Sequence, residues 1–302
     1  MNKPKYRKPE YYRQWDSPSA FVASVRAETP GPMSGRSDLV SELKDKIHMS
    51  REWCLGATLK QSLVLATEGW QEGASQIARL ADPIVSVVAQ RLYRPEPVYG
   101  TDGDFFDVGR VCSGEPEHWI RWEQAESDSG MPQQHGPITI AYDTGASSHV
   151  SSATMIKRGA VVAALAWLLE LSGRPCEIVA ILQIPFGASS DPGGRDPSTV
   201  HAVVIKRASA PIHVASLAFW LVHPAAMRRC LLRAVELMPG ALRGRVSSNY
   251  GRPVNPNLTG YQADIVLGPA MLGSEAEKEP QGWILARLAE QGIQVTEQTR
   301  IA

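Results

Sequence analysis

The chain is poor in cysteine, and its cysteines form no recognisable motif. The four residues are Cys54, Cys112, Cys176 and Cys230. They lie far apart and include no CxxC pair, so the sequence indicates neither a zinc module nor a disulfide framework. Buried free thiols in a reducing compartment are the simpler interpretation.

An apolar targeting segment is also lacking. The N-terminus carries Lys3, Lys5, Arg7 and Lys8 without the apolar run of a signal peptide. No stretch approaches the roughly 20 apolar residues that a membrane span needs. We therefore expect no membrane association and a location in the cytoplasm or inside an assembled particle.

The chain lacks an excess charge of either sign. Its 302 residues include 31 Lys and Arg and 31 Asp and Glu, which gives a formal net charge of zero. Attraction of the whole molecule to nucleic acid or to an anionic membrane is therefore not indicated, and any such binding has to be local. The 43% hydrophobic content is sufficient for a sizeable core.

Familiar catalytic motifs are missing as well. The sequence has no GxGxxG, Walker loop, nucleophile elbow or HExxH. This absence favours a protein that is not an enzyme and gives no reason to expect a cofactor beyond a weakly bound Mg²⁺ at the loop described below.

The chain divides into three predicted regions. Residues 1–49 mix cations with aromatic residues and indicate a polar arm that packs on its own protein or on a partner, or alternatively binds nucleic acid through phosphate contacts and base stacking. Residues 50–136 are predicted to be helical and then irregular, with a strand near 118–123. Residues 137–302 alternate strands and helices, which predicts an α/β domain with a doubly wound, mostly parallel sheet.

The best-defined unit in this last region is a strand, a helix and a second strand. Ile138 to Tyr142 form a short strand ending at Asp143, a long apolar helix follows from about 155 to 171, and the near-continuous apolar run 176–184 is the next strand. Strand 200–206, helical residues 214–237 split at His223-Pro224, strand 263–267 and helix 282–291 complete the prediction.

The loop after the first of these strands resembles the metal-binding loop of the von Willebrand factor A fold, which reads Asp-x-Ser-x-Ser. Asp143 and Ser147 match that motif, whereas Gly145 stands at the central serine. The resemblance implies a metal site of Asp143 and Ser147, which lacks one of the oxygen ligands that Mg²⁺ requires. Ser148 and Ser151 extend the loop into a candidate ligand or partner surface.

The same segment also resembles the catalytic loop of retroviral-type aspartic proteases. Asp143-Thr144-Gly145-Ala146-Ser147 spells that loop, and Ile265-Val266-Leu267-Gly268 is similar to a later segment of the family. The resemblance implies a homodimer in which Asp143, Thr144 and Gly145 of each subunit build the active site. Such proteases are nearly all β, whereas here a long apolar helix follows the loop.

Two further groups of polar residues are candidate sites. The first is a possible polar site in the middle segment, where internal ion pairs are the simpler interpretation: Asp107, Arg110, Glu115 and Glu117. The second is a basic stretch that offers possible nucleic-acid contacts, although a solvated helix face is favoured: Arg228, Arg229, Arg233, Arg243, Arg245 and Arg252. His201, His213 and His223 lack metal-ligand spacing and are expected to be hydrogen-bonded structural residues.

From about residue 50 onward the chain also resembles an uncharacterised family found in bacteriophages and bacterial mobile elements. The resembling segments are Gly69-Trp70-x-x-Gly73, Asp107 to Arg110, Ser113 to Glu117, Lys157 to Ala160 and His223-Pro224. The resemblance implies a protein of the bacterial cytoplasm or of a virion. Our leading hypothesis is an interaction or assembly protein whose partner is another protein, a phage or host component, or a second copy of itself.

Overall fold

The computed structural model describes residues 3–28, 51–89, 97–103, 105–122, 136–146, 150–187, 196–246, 253–270 and 275–293. Its strands are β1 Lys5–Tyr6, β2 Tyr11–Trp15, β3 Pro97–Gly100, β4 Phe105–Phe106, β5 Trp119–Trp122, β6 Ile138–Asp143, β7 Cys176–Ile184, β8 Thr199–Lys206, β9 Leu258–Thr259 and β10 Ile265–Leu267. Its α-helices are α1 Pro18–Ala27, α2 Arg51–Cys54, α3 Leu59–Glu68, α4 Gln71–Ala89, α5 Val108–Cys112, α6 Ser152–Leu171, α7 Val214–Leu217, α8 Leu232–Glu236, α9 Gly240–Arg243, α10 Glu275–Lys278 and α11 Pro280–Glu290.

The central sheet has five strands in the order β10-β6-β7-β8-β2. The β10–β6, β6–β7 and β8–β2 pairs are parallel, and β7–β8 is antiparallel. The protein is thus a mixed α/β protein with a mostly parallel central sheet. The strand and helix positions predicted between residues 138 and 206 are confirmed, with α6 beginning three residues earlier than expected.

Helix α6 has its middle buried on every side because other elements surround it. Its contacts include strand β7, helix α4 and a π-helical segment, Ala218–Val222. Ser151 caps its N-terminus by accepting a hydrogen bond from the Thr154 backbone N–H at 3.1 Å. A Cβ added to Gly159 would lie 2.3 Å from the Leu221 carbonyl oxygen, so only glycine permits this close approach.

The same helix is long and apolar enough to cross a membrane by length and composition, contrary to our expectation that no stretch approaches this limit. Two-thirds of its apolar span (67%) is buried inside the fold. Buried core helices pass the same test, so α6 gives only weak support for a membrane span.

The two faces of the sheet are covered differently. One face belongs to the main core, which includes residues of α1, α3, α4, α6 and α11. The other face forms a smaller cluster with Tyr261 and Ala263, and none of its members lies in a helix of the described chain. The doubly wound arrangement, with helices on both faces, therefore stays a prediction.

The segment 214–236 breaks where proline predicted it would. His223 is extended (φ −73°, ψ 123°), and its ring Nδ1 accepts a hydrogen bond from the Ala225 backbone N–H at 3.1 Å. On either side the helical turns are partly π-helical, over Ala218–Val222 and Ala226–Leu231. This layer packs against α3 and α6.

Residues 3–28 of the predicted arm pack on their own protein, which is one of the two alternatives given for it, and they do so as strands and a helix of the fold. Strand β2 is the edge strand of the central sheet, paired with β8, and β1 pairs with β9. Trp15 and Phe21 are buried in the main core. The reason is the pattern Tyr11, Arg13, Trp15, which alternates along a strand and points one set of side chains inward. Residues 29–49 lie outside the described part.

The region 50–136 is helical only in its first half. Helix α3 begins with a capping box, in which the Gln61 N–H donates to the Thr58 side chain at 3.2 Å and the Thr58 N–H to the Gln61 side chain at 2.9 Å. The predicted strand near residues 118–123 is confirmed as β5. It forms an antiparallel sheet in the order β3-β5-β4, which the sequence did not predict as a unit.

Candidate functional site

The order of the strands places a reversal in the chain path beside β6. From β6 the chain passes through α6 to β7 and β8 on one side, and it later returns to β10 on the other side. The carboxyl ends of β6, β7 and β10 lie at one edge because these strands are parallel. In open α/β sheets, ligands bind at such a reversal. We call this region the switch-point edge: Asp143–Ala146, Gln183, Gly268–Ala270 and the first turn of α6.

Asp143 is at the centre of the switch-point edge, and its carboxylate forms hydrogen bonds within the fold. Its side chain points to the second face of the sheet, and the residue is only 1% exposed. Its Oδ1 accepts a hydrogen bond from the Gly145 N–H at 2.8 Å, and its Oδ2 accepts one from Gln183 Nε2 at 2.7 Å. Gln183 Oε1 in turn accepts the Gly260 N–H. The carboxylate thus ties together the ends of two strands and the loop after β9.

Burial makes this carboxylate a weaker acid than usual. Loss of water raises the pKa of Asp143 to about 6, against the opposing effect of the hydrogen bonds from Gln183 and Gly145 and of the positive charge of Arg158. Arg158, on α6, is itself buried and donates from Nη2 to the Gly268 carbonyl oxygen. The acid and the cation therefore connect β6 and α6 to the end of β10.

The loop that leaves β6 is fixed by its backbone. The Thr144 N–H and hydroxyl both donate to the Ile181 carbonyl oxygen, at 2.8 and 2.9 Å. The Gly145 carbonyl accepts the Ala270 N–H at 2.7 Å, so the loop and the segment after β10 continue the parallel pairing. A Cβ at Gly145 would lie 2.9 Å from Asp143 Oδ1. A serine here, as in the metal-binding motif, would require the carboxylate to shift from its present position.

The described residues do not fit a magnesium ion at this edge. They supply one carboxylate, both of whose oxygens already accept hydrogen bonds, and the charge of Arg158 bears on it. Within the described residues, no group of three His, Cys, Asp or Glu side chains is placed to hold a metal. Ser147 and Ser148 lie outside the described residues, and Ser151 caps α6.

The fold also differs from the one that the aspartic-protease resemblance implies. Such an enzyme is nearly all β, whereas α6 follows Asp143 in a mixed α/β structure. A catalytic carboxylate must reach substrate and water, but Asp143 is buried, and Thr144 donates its hydroxyl to the neighbouring strand. Ile265–Leu267, the second segment of the resemblance, is strand β10 beside β6.

The middle-segment polar residues form a local network rather than a cleft. Asp107 caps α5 by accepting the Gly109 and Arg110 N–H groups at 2.8 and 3.2 Å. Arg110 pairs with Glu115 at 3.3 Å, donates to the backbone oxygen of Glu117 at 2.8 Å and lies 3.8 Å from the Tyr99 ring centroid. The favoured interpretation as internal ion pairs is confirmed for Arg110 and Glu115, and Glu117 contributes its backbone.

The basic stretch does not present a solvated helix face, and that expectation is wrong for its first three arginines. Arg228, Arg229 and Arg233 are 2%, 1% and 7% exposed. Arg228 donates to the Trp53 and Val150 carbonyl oxygens, both at 2.9 Å, and Arg233 lies 3.3 Å from the buried Glu236 carboxylate. Their guanidinium groups hold the helical layer together and leave no surface for phosphate.

The remaining members of the basic stretch have separate roles. Arg243 donates to the Met238 carbonyl oxygen at 2.7 Å, which satisfies the end of a helical segment. Arg245 forms an exposed pair with Glu10 at 2.6 Å. Arg252 lies outside the described residues. The arginines therefore do not form one basic patch.

The two buried histidines differ in whether their ring nitrogens are hydrogen-bonded. His223 has the hydrogen bond expected of a structural histidine. His201 does not, because neither of its ring nitrogens has a hydrogen-bond partner among the described residues. The expectation of a hydrogen-bonded residue is wrong for His201.

Sequence reasoning missed two residues of the switch-point edge, although each left a signal. Gln183 is the one uncharged polar residue in the otherwise apolar run from Ile178 to Ile184, and Arg158 is a cation in an apolar helix. Both are almost completely buried, and a buried polar group requires a partner. What the sequence could not give was that the partners would be Asp143 and the end of β10.

The fold and this edge define an α/β protein with a buried acid at its switch point. The chain belongs to a family described as domain of unknown function DUF7192, whose model matches residues 3–295. No curated protein and no solved structure matches the chain.

Proposed function

We propose that this chain is a non-enzymatic interaction or assembly protein that recognises another protein with its switch-point edge. The observation that carries the proposal is the state of Asp143. Its carboxylate is buried, and both oxygens are used to fix the loop after β6. An acid held in this way shapes a surface and does not react at it.

The position of the edge supports binding. Reversal of the chain path between β6 and β10 brings the loop after β6 next to residues 268–270. The first two turns of α6, which follow this loop, present Ala153 and Lys157 to solvent. The buried Arg228 donates a hydrogen bond to the Val150 carbonyl oxygen, which holds the end of the loop in place. Residues 143–146, 269 and 270 are themselves buried, so among the described residues the proposed contact surface is Ala153 and Lys157, held in place by the buried contacts behind them.

We further propose that the sheet is of the von Willebrand A type. A central strand that ends at Asp143, a long helix after it, and an antiparallel strand next to β7 support this assignment. The second face, which packs against Tyr261 and Ala263, departs from a doubly wound sheet in the described residues. Any magnesium at Asp143 would need donors beyond those described.

The origin and location of the protein are part of the same proposal. The resemblance to a family of bacteriophages and mobile elements supports a partner that is a phage or host protein, or a second copy of the chain. We propose that the protein acts in the cytoplasm of a bacterial host or within a virion. Binding to nucleic acid has less support, because three of the six candidate arginines are buried.

The test is capture of the partner by tagged full-length protein and by two variants. Ala153→Arg adds bulk and charge at the exposed first turn of α6, within the switch-point edge. Leu171→Arg is the matched control, because Leu171 is 54% exposed at the other end of the same helix. We expect the first variant to lose the partner and the second to retain it, while both melt as the wild type does. Retention by Ala153→Arg would contradict the assignment of the surface.

A separate assay addresses the enzymatic alternative. Purified wild type and Asp143→Asn are incubated with a peptide library between pH 4 and pH 7, with and without pepstatin. We expect no cleavage that depends on Asp143. Proteolysis that pepstatin inhibits and that Asp143→Asn abolishes would replace our proposal with the aspartic protease.

A further inference from the structure

Residues 11–28 of the N-terminal segment are attached to the edge of the central sheet through one strand and one helix, whereas β1 pairs with β9. Strand β2 pairs with β8, and α1 then packs on β8 and α3. Two ring contacts continue into the core: Trp15 lies edge-on to Phe21 at 5.0 Å, and Phe21 lies edge-on to Trp220 at 5.5 Å. An edge strand has neighbours on one side only, so this segment can separate without breaking the rest of the sheet.

His201 lies directly under this attachment. It is opposite Arg13 in the β8–β2 register, and its ring centroid lies 5.6 Å from that of Tyr11 and 6.4 Å from that of Trp15, nearly parallel to the latter. The side chain is fully buried, and neither ring nitrogen is hydrogen-bonded by a described residue. Trp15 Nε1 is also buried without a partner in the described structure.

The surroundings of the ring disfavour a positive charge. The charged group that bears on it is Arg13, which pairs with Glu28 at the end of α1 and also donates to Ser24 at 2.8 Å. The register neighbour on the other side, Leu182 of β7, is apolar. Protonation would bury a second cation beside Arg13 with no acceptor for its N–H groups.

We propose that residues 11–28 are an acid-released strap: when His201 takes up a proton, β2 and α1 leave the edge of the sheet and expose β8. In the closed state, burial and the charge of Arg13 lower the pKa of His201 to about 3. In the open state the ring meets water and regains its ordinary pKa of about 6.5. The open state therefore binds the proton.

The sign and size of the effect follow from this difference. Closure is fully stable above pH 6.5 and weakens as the pH falls toward 3. At pH 5 the open population should be about 30-fold larger than at pH 7.5, because pH 5 is about 1.5 units below the pKa of His201 in the open state. Glu28 and Glu10, whose pKa values are lowered by Arg13 and Arg245, act in the same direction. At pH 5 each of these two groups increases the open population by less than about twofold.

The experiment is hydrogen–deuterium exchange of full-length protein at pH 7.5 and pH 5.0, with rates corrected for intrinsic exchange. Peptides from residues 9–27 report on the strap, and peptides from β6 and β7 report on the rest of the sheet. His201→Phe keeps a packed ring and removes the proton acceptor. His223→Asn is the matched control, because His223 is also buried with a lowered pKa of about 4, and asparagine can still accept the Ala225 N–H.

We expect opening of the strap in wild type and in His223→Asn to accelerate about 30-fold at pH 5, and in His201→Phe less than about threefold. Equal acceleration in His201→Phe, or acceleration shared by β6 and β7, would overturn the proposal. If a variant does not fold, the pH profile of amide exchange in the wild-type strap provides a second test. This exchange should rise about tenfold per pH unit between pH 6 and pH 4, and a flat profile would also overturn the proposal.

Discussion

Replacing Asp143 by asparagine should make the free energy of unfolding less dependent on pH. Because burial raises the pKa of Asp143, the wild type should lose stability as the pH rises, and the variant should not lose this part. The pKa of Asp143 is raised from 3.8 to about 6 in the folded protein. Between these values the folded state binds more protons than the unfolded state, so this contribution is fully present below pH 3.8 and is lost as the pH rises through 6. A difference of about 2 pKa units corresponds to about 3 kcal/mol.

Asparagine removes the titration but disturbs the hydrogen bonds. It faces two donors, the Gly145 N–H and Gln183 Nε2, and has one acceptor oxygen, so one bond is lost at a cost of about 1–3 kcal/mol. We therefore expect Asp143→Asn to be less stable than wild type near pH 4. Its relative stability should improve by about 2.5 kcal/mol between pH 4 and pH 8.

The assay is urea denaturation, followed by tryptophan fluorescence at each pH. The free energy of unfolding of the variant is subtracted from that of the wild type at each pH. This removes the contribution of the buried histidines, which titrate in both proteins. Gln183→Met is the control, because it loses a hydrogen bond to the same carboxylate but keeps the titrating group, so its pH dependence should persist. A difference between wild type and Asp143→Asn that stays constant from pH 4 to pH 8 would refute the reasoning.

Three other substitutions test particular contacts. Gly145→Ser should lower the free energy of unfolding by about 1–3 kcal/mol, because its Cβ meets the Asp143 carboxylate, and added Mg²⁺ should not restore the melting temperature. Gly159→Ala should cost about 3 kcal/mol in urea denaturation, since the new methyl group meets the Leu221 carbonyl. Asp107→Ala should cost about 1 kcal/mol, seen as faster amide exchange in α5 alone. A stable Gly159→Ala protein would show that the helices separate easily.

Periodicity located most of the central elements because local pattern and burial agree there. The apolar run 176–184 is a strand buried on both faces, and His223-Pro224 ends a helical segment. Strand β2 is not predicted from the sequence because Tyr11–Trp15 is short and polar, and its pairing partner β8 lies almost 190 residues later in the chain. Local sequence carries no record of so distant a neighbour.

The candidate site was predicted in part. Asp143 was singled out because it ends a strand before a helix, and the structure places it at the switch point. Its role could not be read from the loop itself, because it depends on Gln183 of the next strand and on Arg158 of the following helix. Likewise, Arg228 and Arg229 resembled a surface patch because the sequence does not show which side of a helical layer is covered.

We propose above that the switch-point edge binds a protein partner. The most direct measurement is the hydrogen–deuterium exchange footprint of the captured partner on the full-length chain. We predict that complex formation protects the first turn of α6 and residues 265–270, and leaves helices α3 and α11 unchanged. Protection confined to α3, α11 or the β3-β5-β4 sheet, with none at the switch-point edge, would contradict the account.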